Sequence, residues 1–536
     1  MLSYNYVLVA ATISAGYLLY AFCKALCNPL NAIPGAWHAK FTTLPATLAS
    51  LSRQQVQYYH GLHERFGPFA RTGPNQVFAA DIDAYKAIHR VGGRFFKAEF
   101  YHYFGPTEAG KPPYGLFQMT DPVAHAQRRK LLGTGFTATS LRREWEAMVR
   151  DKVAAAVEGM RGEAKRDGGE VDVRKWWNLM ASDVVSTIMF GKSFDSLKAG
   201  RPGRKQNDAV PTNAVCLSKQ KDPWFDEIKI ATLAAFGALS FPWLYEVLKR
   251  LPIIGRSRYF YAHKSLMDKG MAAVENSREK TAAGSDTTAN VFAKVLREAD
   301  PVEGGSLTDA DIAVEAGGFM IAGTDTTSNT LTYLVWAVIN NGDGGLQAAL
   351  EQELQERVEG DDPSGVSDAA LEKLPILNAV IEETLRLYGA APIPLPRIVP
   401  PGGVELGGYH LPAGTEVATQ AYTMHRDPRF FADPEKLTLS THKPRFDHTR
   451  WLPGGECATS ETARAAFGPF GAGSRGCIGK HLAYMELRLG AAAFFRKFRG
   501  CRLGGSVTTE SMHMDNLVLM EPRGKTLKVV LPGEAL

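Results

Sequence analysis

The sequence predicts a mainly α-helical protein with small β-sheets (α+β), built as one large domain over residues 28–536 behind a transmembrane helix in residues 1–27. Three observations lead there. Apolar residues recur at helical spacing over most of the chain, the mark of amphipathic helices. Strand-like alternation is confined to short pieces bounded by Gly and Pro, in residues 67–81, 404–420 and 516–531. The first 23 residues, "MLSYNYVLVAATISAGYLLYAFC", carry no charged side chain, and a helix of about 20 such residues spans a bilayer.

Taken in order, the apolar run is followed by Lys24 and Lys40 with no acid between them, so this side faces the cytosol by the positive-inside rule. A cleavable signal peptide would carry a basic leader and a shorter apolar run. "NPLNAIPG" breaks the helix and reads as a hinge. "GPFARTGPNQVFAAD" reads as a β-hairpin and "DIDAYKAIH" as a short helix. Helical periodicity covers residues 120–159, 176–190, 225–251, 259–297, 310–340, 346–356 and 369–388. A last helix starts at "KHLAYMEL". The polar stretches 198–220 and 437–445 read as surface loops. No internal repeat and no long linker divides the body.

Composition excludes several function classes. A net charge of +5 on 536 residues, with no concentrated Lys/Arg block, does not suit nucleic-acid binding. The six cysteines include no C-x-x-C pair, so a zinc or iron–sulfur site made of them is not expected. Their sparse spacing suits a reduced compartment. No G-x-G-x-x-G follows a strand, so the chain brings no flavin or nicotinamide domain of its own. "AGSRG" departs from a serine-hydrolase elbow at its first glycine, and no strand precedes it.

Four constellations carry chemistry. The first is "FGAGSRGCIG", Phe470 to Gly479, ahead of a helix. Its glycines free the backbone, and a sulfur at a helix N-terminus meets N–H groups and the positive dipole end, which favour a thiolate. Arg475 adds a charge two residues away. The alternative is a buried structural cysteine. The second is "AGTDTT", Ala322 to Thr327, costly small and polar residues inside an apolar helix. It suits a helix that opens to a ligand; a threonine bonding back to an i−4 carbonyl explains it equally well. The third is "EETLRLY", where Glu383 and Arg386 are three apart on one helix. The fourth is the set His125, Arg129 and Arg397, basic groups able to hold a dianion if they converge.

The pattern F-x-x-G-x-R-x-C-x-G, met by Phe470, Gly473, Arg475, Cys477 and Gly479, resembles the haem-binding loop of the cytochromes P-450. The order "AGTDTT", E-x-x-R, cysteine loop also matches, and the resemblance covers essentially the whole chain. It is most similar to microsomal fungal members that tailor secondary metabolites. The resemblance implies that Cys477 is the axial thiolate of haem b (iron protoporphyrin IX), with Phe470 beside the sulfur and Gly473 and Gly479 admitting the porphyrin. Arg475, Arg129, Arg397 and His125 would pair with the propionates; many relatives have tryptophan where His125 stands. Ala322, Gly323, Asp325, Thr326 and Thr327 would form the oxygen groove, with Asp325 and Thr326 relaying protons. Glu383, Arg386 and Arg450 would form a structural triad. Here His448-Thr449 replaces the usual Pro-Glu before that arginine, and residues 437–445 are an insertion.

The implied function is a monooxygenase of the endoplasmic reticulum membrane with its catalytic domain in the cytosol. It would use O2 and electrons from NADPH through a separate reductase, with cytochrome b5 as a second donor. It would hydroxylate or epoxidise a bulky, largely apolar small molecule: a polyketide, terpenoid or alkaloid intermediate. Pocket walls are expected from residues 95–106, 236–243, the face around Phe319, 390–395 and 512–517. The alternatives are a redox-neutral haem-thiolate isomerase or dehydratase, in which the groove threonine is often missing, and an inactive membrane-anchored binding protein.

Overall fold

The computed structural model describes residues 9, 12–13, 15–16, 19–20, 22–200, 223–252, 257–282, 307–342, 344–358, 366–434 and 446–535. Much of the expected anchor, Cys216 and the loops 201–220 and 437–445 lie outside these residues. Among the described residues no helix is long and apolar enough to cross a membrane.

The helices that position the site are α1 (Pro122–Gly133), α2 (Glu146–Ala164), α3 (Val173–Phe190), α4 (Pro223–Ser240), α5 (Arg258–Ala282), α6 (Asp309–Ile339), α7 (Pro375–Tyr388) and α8 (Lys480–Lys497). Local chemistry sets their ends. Asp121 accepts the Ala124 N–H ahead of Pro122, a position where proline loses no helical bond. A Thr308–Asp311 capping box starts α6. Prolines also split two stretches read as continuous: Pro242 starts a new helix after α4, and Pro375 divides the 369–388 pattern.

α6 runs through the centre and packs against α3, α5, α7 and α8. Between Ser328 and Leu334 every residue of α6 is buried. Trp176 and Trp177 of α3 are fully buried in the same core. Burying side chains of that size supplies the main stabilising term.

The expected hairpin is β1 (Phe69–Gly73) and β2 (Gln76–Ala79). It extends through β3 (Phe96–Lys97), β4 (Arg397–Ile398) and β5 (Glu416–Ala418) into one sheet of order β1-β2-β5-β4-β3. β3 and β4 pair antiparallel, with Lys97 directly opposite Arg397. The C-terminal strands do not form a single hairpin. Met514–Asn516 pairs with Met520–Pro522, while Lys528–Val530 pairs with Glu170–Asp172.

Candidate active site

The cysteine loop is shaped by two left-handed glycines, Gly471 and Gly473, each at φ +67°. Gly473 has no room for a side chain: a Cβ there would lie 1.8 Å from the His89 carbonyl oxygen. Gly473→Ala adds that overlap to the roughly 1–2 kcal/mol a left-handed L-residue costs. We expect a loss above about 3 kcal/mol once overpacking is included, read as a lower thermal midpoint; an unchanged midpoint would show that the loop relaxes freely. The Cys477 N–H donates to the Phe470 carbonyl (2.8 Å), closing the loop, and Phe470 packs on Tyr484. α8 follows from Lys480.

The Cys477 thiol is accessible to solvent and yet deeply surrounded by protein, so it stands on the wall of an interior cleft. Burial raises its pKa above the ordinary cysteine value, only partly offset by the Gly479 N–H and by the Arg129 and Lys480 charges. The sequence led us to expect a thiolate favoured by the helix start and by Arg475. The free thiol is instead raised, because burial outweighs those terms, and Arg129 rather than Arg475 supplies the nearby arginine charge. A Cβ at Gly479 would meet only the Cys477 sulfur, at 3.9 Å. The space beside the sulfur is open.

A cationic cluster stands next to the loop. Arg129 of α1 donates to the Gly476 carbonyl (2.7 Å). Arg475 donates to the carbonyls of Met119 (2.8 Å) and Thr120 (3.1 Å), so the loop and α1 are cross-braced. Arg397 donates to the Tyr101 hydroxyl (2.6 Å). His125 is buried, and burial together with Arg475, Lys97, Arg129 and Arg397 pushes its pKa down to about 3. Lys97 is buried too, between the rings of Tyr101 and Phe117. Burial and then Arg397, Arg475 and Arg129 hold its pKa well below the lysine range.

Lys97 and Tyr101 were missed by sequence reasoning. The signal was a single lysine inside the aromatic run "FFKAEFYHYF". Like charges directly opposite on paired strands destabilise a sheet; among the described residues no carboxylate lies within ion-pair distance of Lys97, Arg397, Arg129 or Arg475, and only Asp121 offsets the Arg475 charge from further away. Such a cluster fits a dianionic ligand, and with the accessible thiol and the open side of Gly479 it fits haem.

The "AGTDTT" residues diverge around α6. Ala322 is exposed and Thr326 half-buried although the helix is central, and the Thr326 hydroxyl donates back to the Ala322 carbonyl (2.6 Å). Gly323 faces α3: a Cβ there would meet Val185 at 2.8 Å. A side chain there would push α6 away from α3. Asp325 accepts from Asn178 of α3 (3.2 Å), and Thr327 donates to Glu486 of α8 (3.3 Å).

The cytochrome P-450 family model matches residues 37–529. The chain belongs to the cytochrome P-450 family. It is 36% identical to cytochrome P-450 monooxygenase cypX of Dothistroma septosporum, covering 97% of this chain and 95% of that one. It is 37% identical to cytochrome P-450 monooxygenase stcB of Emericella nidulans, covering 94% and 89%. The crystal structure of the cytochrome P-450DA haem domain has the same fold, with a TM-score of 0.71, 18% identity, and 93% and 98% of the two chains covered. The protein is accordingly a P-450 monooxygenase.

In this P-450 the fully buried Glu383 and Arg386 form a bidentate pair, Nε to Oε2 at 2.8 Å and Nη2 to Oε1 at 2.7 Å. Arg386 also donates to the carbonyls of His425 (2.6 Å) and Pro434 (3.0 Å). Arg450 completes the expected triad only loosely, its Nε 3.9 Å from Glu383. Its own partners are Glu456 and the Ala432 and Asp433 carbonyls. Glu383 takes its remaining bonds from the Trp451 indole (3.0 Å) and the Asp447 N–H (3.1 Å). Trp451 and Glu456 were not read from the sequence, because only the fold brings them within reach.

Three expected pocket segments meet in this P-450. Phe100 and Phe104, Phe236 and Leu239 of α4, and Leu517 share one cluster. One expectation is corrected: Trp243 is exposed. Phe319 is half-buried and stacks on Phe136 (5.3 Å) at the edge of the main core. Amphipathic α-helical spacing cannot tell a core-facing ring from a cavity-facing one.

Proposed function

We propose that this P-450 binds haem b with Cys477 as axial thiolate and oxygenates a bulky, largely apolar small molecule of fungal secondary metabolism. The observation that carries the haem assignment is the cluster of buried Lys97 and Arg397 with half-buried Arg129 and Arg475, none of them in an ion pair with a carboxylate among the described residues, next to an accessible cysteine thiol. Haem held there supplies the one-electron and dioxygen chemistry that side chains lack. The residues do the rest. The four cations and Tyr101 neutralise and orient the propionates. The Gly479 N–H and Arg129 stabilise the sulfur's negative charge. Thr326 holds a hydroxyl proton at the accessible face of α6. Phe100, Phe104, Phe236 and Leu517 suit an apolar, aromatic-rich substrate wall. The fungal monooxygenases among its relatives support the metabolic setting.

The same proposal includes electrons from NADPH through a separate reductase, with cytochrome b5 as a second donor. It also includes an anchor in residues 1–27 at the endoplasmic reticulum, with the body in the cytosol. Exposed Trp37, Phe41, Leu44 and Leu48 follow the uncharged segment and support a membrane-facing side. The deciding experiment is the absorption spectrum of the purified, dithionite-reduced protein with carbon monoxide. A strongly red-shifted Soret band is expected; well-folded protein with no haem would overturn the assignment.

A second measurement tests the cation cluster. Lys97→Met removes an amine whose protonation burial and the neighbouring arginines oppose, so the thermal midpoint of the apoprotein should rise while haem dissociates faster. A rise in apoprotein stability with unchanged haem loss would separate Lys97 from the propionates.

A further inference from the structure

The turn 517–519 joins the strands Met514–Asn516 and Met520–Pro522, where Asp515 faces Glu521 and Asn516 faces Met520. Leu517 and Val518, in this turn, pack with the rings of Phe100, Phe104 and Phe236. A two-stranded hairpin has little stability of its own. Its place in the fold is therefore set by what fastens it.

One residue fastens both strands. Arg53, between the helices Leu44–Leu51 and Gln55–Phe66, is left-handed at φ +61°. Its carbonyl accepts the Asn516 N–H (3.0 Å), and its Nη1 donates to Oε1 of Glu521 on the other strand (3.0 Å). A left-handed residue other than glycine persists where its surroundings over-determine it; here main chain and side chain are both tied to the hairpin. The second Glu521 oxygen takes Nη2 of Arg174 on α3 (3.3 Å), and Arg174 reaches Asn329 of α6 (3.0 Å). The Met520 N–H adds a bond to the Ala390 carbonyl (2.9 Å). An exposed ion pair contributes little. Glu521 and Arg174 are largely covered, at 15% and 14% exposed, and one carboxylate joins two arginines from separate elements.

We propose that Arg53 and Glu521 are positioning residues for substrate selection. Their pair holds the turn that carries Leu517 against the aromatic wall, and so sets the width of the cavity offered to an apolar substrate. This rests on the reading of Leu517 and its aromatic neighbours as substrate wall. The probes are imidazole and 1-tritylimidazole, titrated into the ferric holoenzyme and followed by the Soret shift. Both ligate haem iron through nitrogen; only the second fills the space that the wall bounds. Leu517→Ala, which trims the wall itself, should weaken 1-tritylimidazole binding. Arg53→Met and Glu521→Ala should each weaken it by about tenfold, the scale of one lost apolar contact, with imidazole affinity and the thiolate carbon monoxide band unchanged. Arg53→Lys, which keeps the charge, should recover most of the loss. Combining Arg53→Met with Glu521→Ala should lose no more than either alone, because both act through one pair.

Native 1-tritylimidazole affinity in Arg53→Met and Glu521→Ala, beside a weakened Leu517→Ala, overturns the positioning role alone. So does an equal loss for imidazole, which marks a general loosening of the fold. Native affinity in Leu517→Ala overturns the reading of the wall. Should Glu521→Ala fail to fold, Arg53→Met, at a side chain 34% exposed, decides the matter.

Discussion

Cys477→Ser is expected to abolish the red-shifted carbon monoxide band of the reduced protein and to reduce turnover to background, while the fold survives. The loop is closed by main-chain bonds, the Cys477 N–H on the Phe470 carbonyl and the Gly476 N–H on the Gly473 carbonyl, and serine retains both. What serine cannot supply is a soft anionic sulfur. Its hydroxyl does not ionise in the range where a thiol does, and the burial that already raises the Cys477 thiol would disfavour an alkoxide more. Measured together, the spectrum and a thermal melt separate ligand loss from unfolding. A serine variant with the native band would remove Cys477 from the iron.

Glu383→Ala is expected to have the largest effect on stability. It leaves Arg386, fully buried, without either carboxylate bond. Breaking a buried pair by removing one partner costs about 3–5 kcal/mol. The part-buried Trp451 indole and Asp447 N–H lose their acceptor as well, at about 1 kcal/mol each. Against a total stability of about 5–15 kcal/mol, this should leave little folded protein and no haem uptake. Glu383→Gln keeps acceptors for Trp451 and Asp447 and should lose less. Arg450→Met should cost less again than Glu383→Ala, since Arg450 lies 3.9 Å from Glu383 and spends its charge on Glu456. Equal yields of folded protein from all three variants would contradict this order.

Some of this was legible in the chain and some was not. The i, i+3 spacing of Glu383 and Arg386 put them on one helix face, and the structure joins them. The resemblance grouped Gly323 with Thr326 in one groove, yet Gly323 lies close against Val185 while Thr326 is half-buried with its hydroxyl on the Ala322 carbonyl. Spacing assigns residues to a face of their own helix; it does not say which neighbour covers that face. Lys97 was overlooked because its meaning lies in Arg397, 300 residues later and opposite it in register. Glu486 was overlooked because its partner, Thr327, is on a different helix.

The sequence by itself determined the helical body, the glycine-shaped loop around Cys477 and the kinds of groups at the site. These depend on local rules: periodicity, proline and capping at helix ends, and glycine where φ is positive. The tertiary structure decided which charges meet, which way each groove residue faces, and that the Cys477 thiol is raised rather than lowered. Those outcomes depend on burial and on distances between segments far apart in the chain, and both arise only when the helices pack.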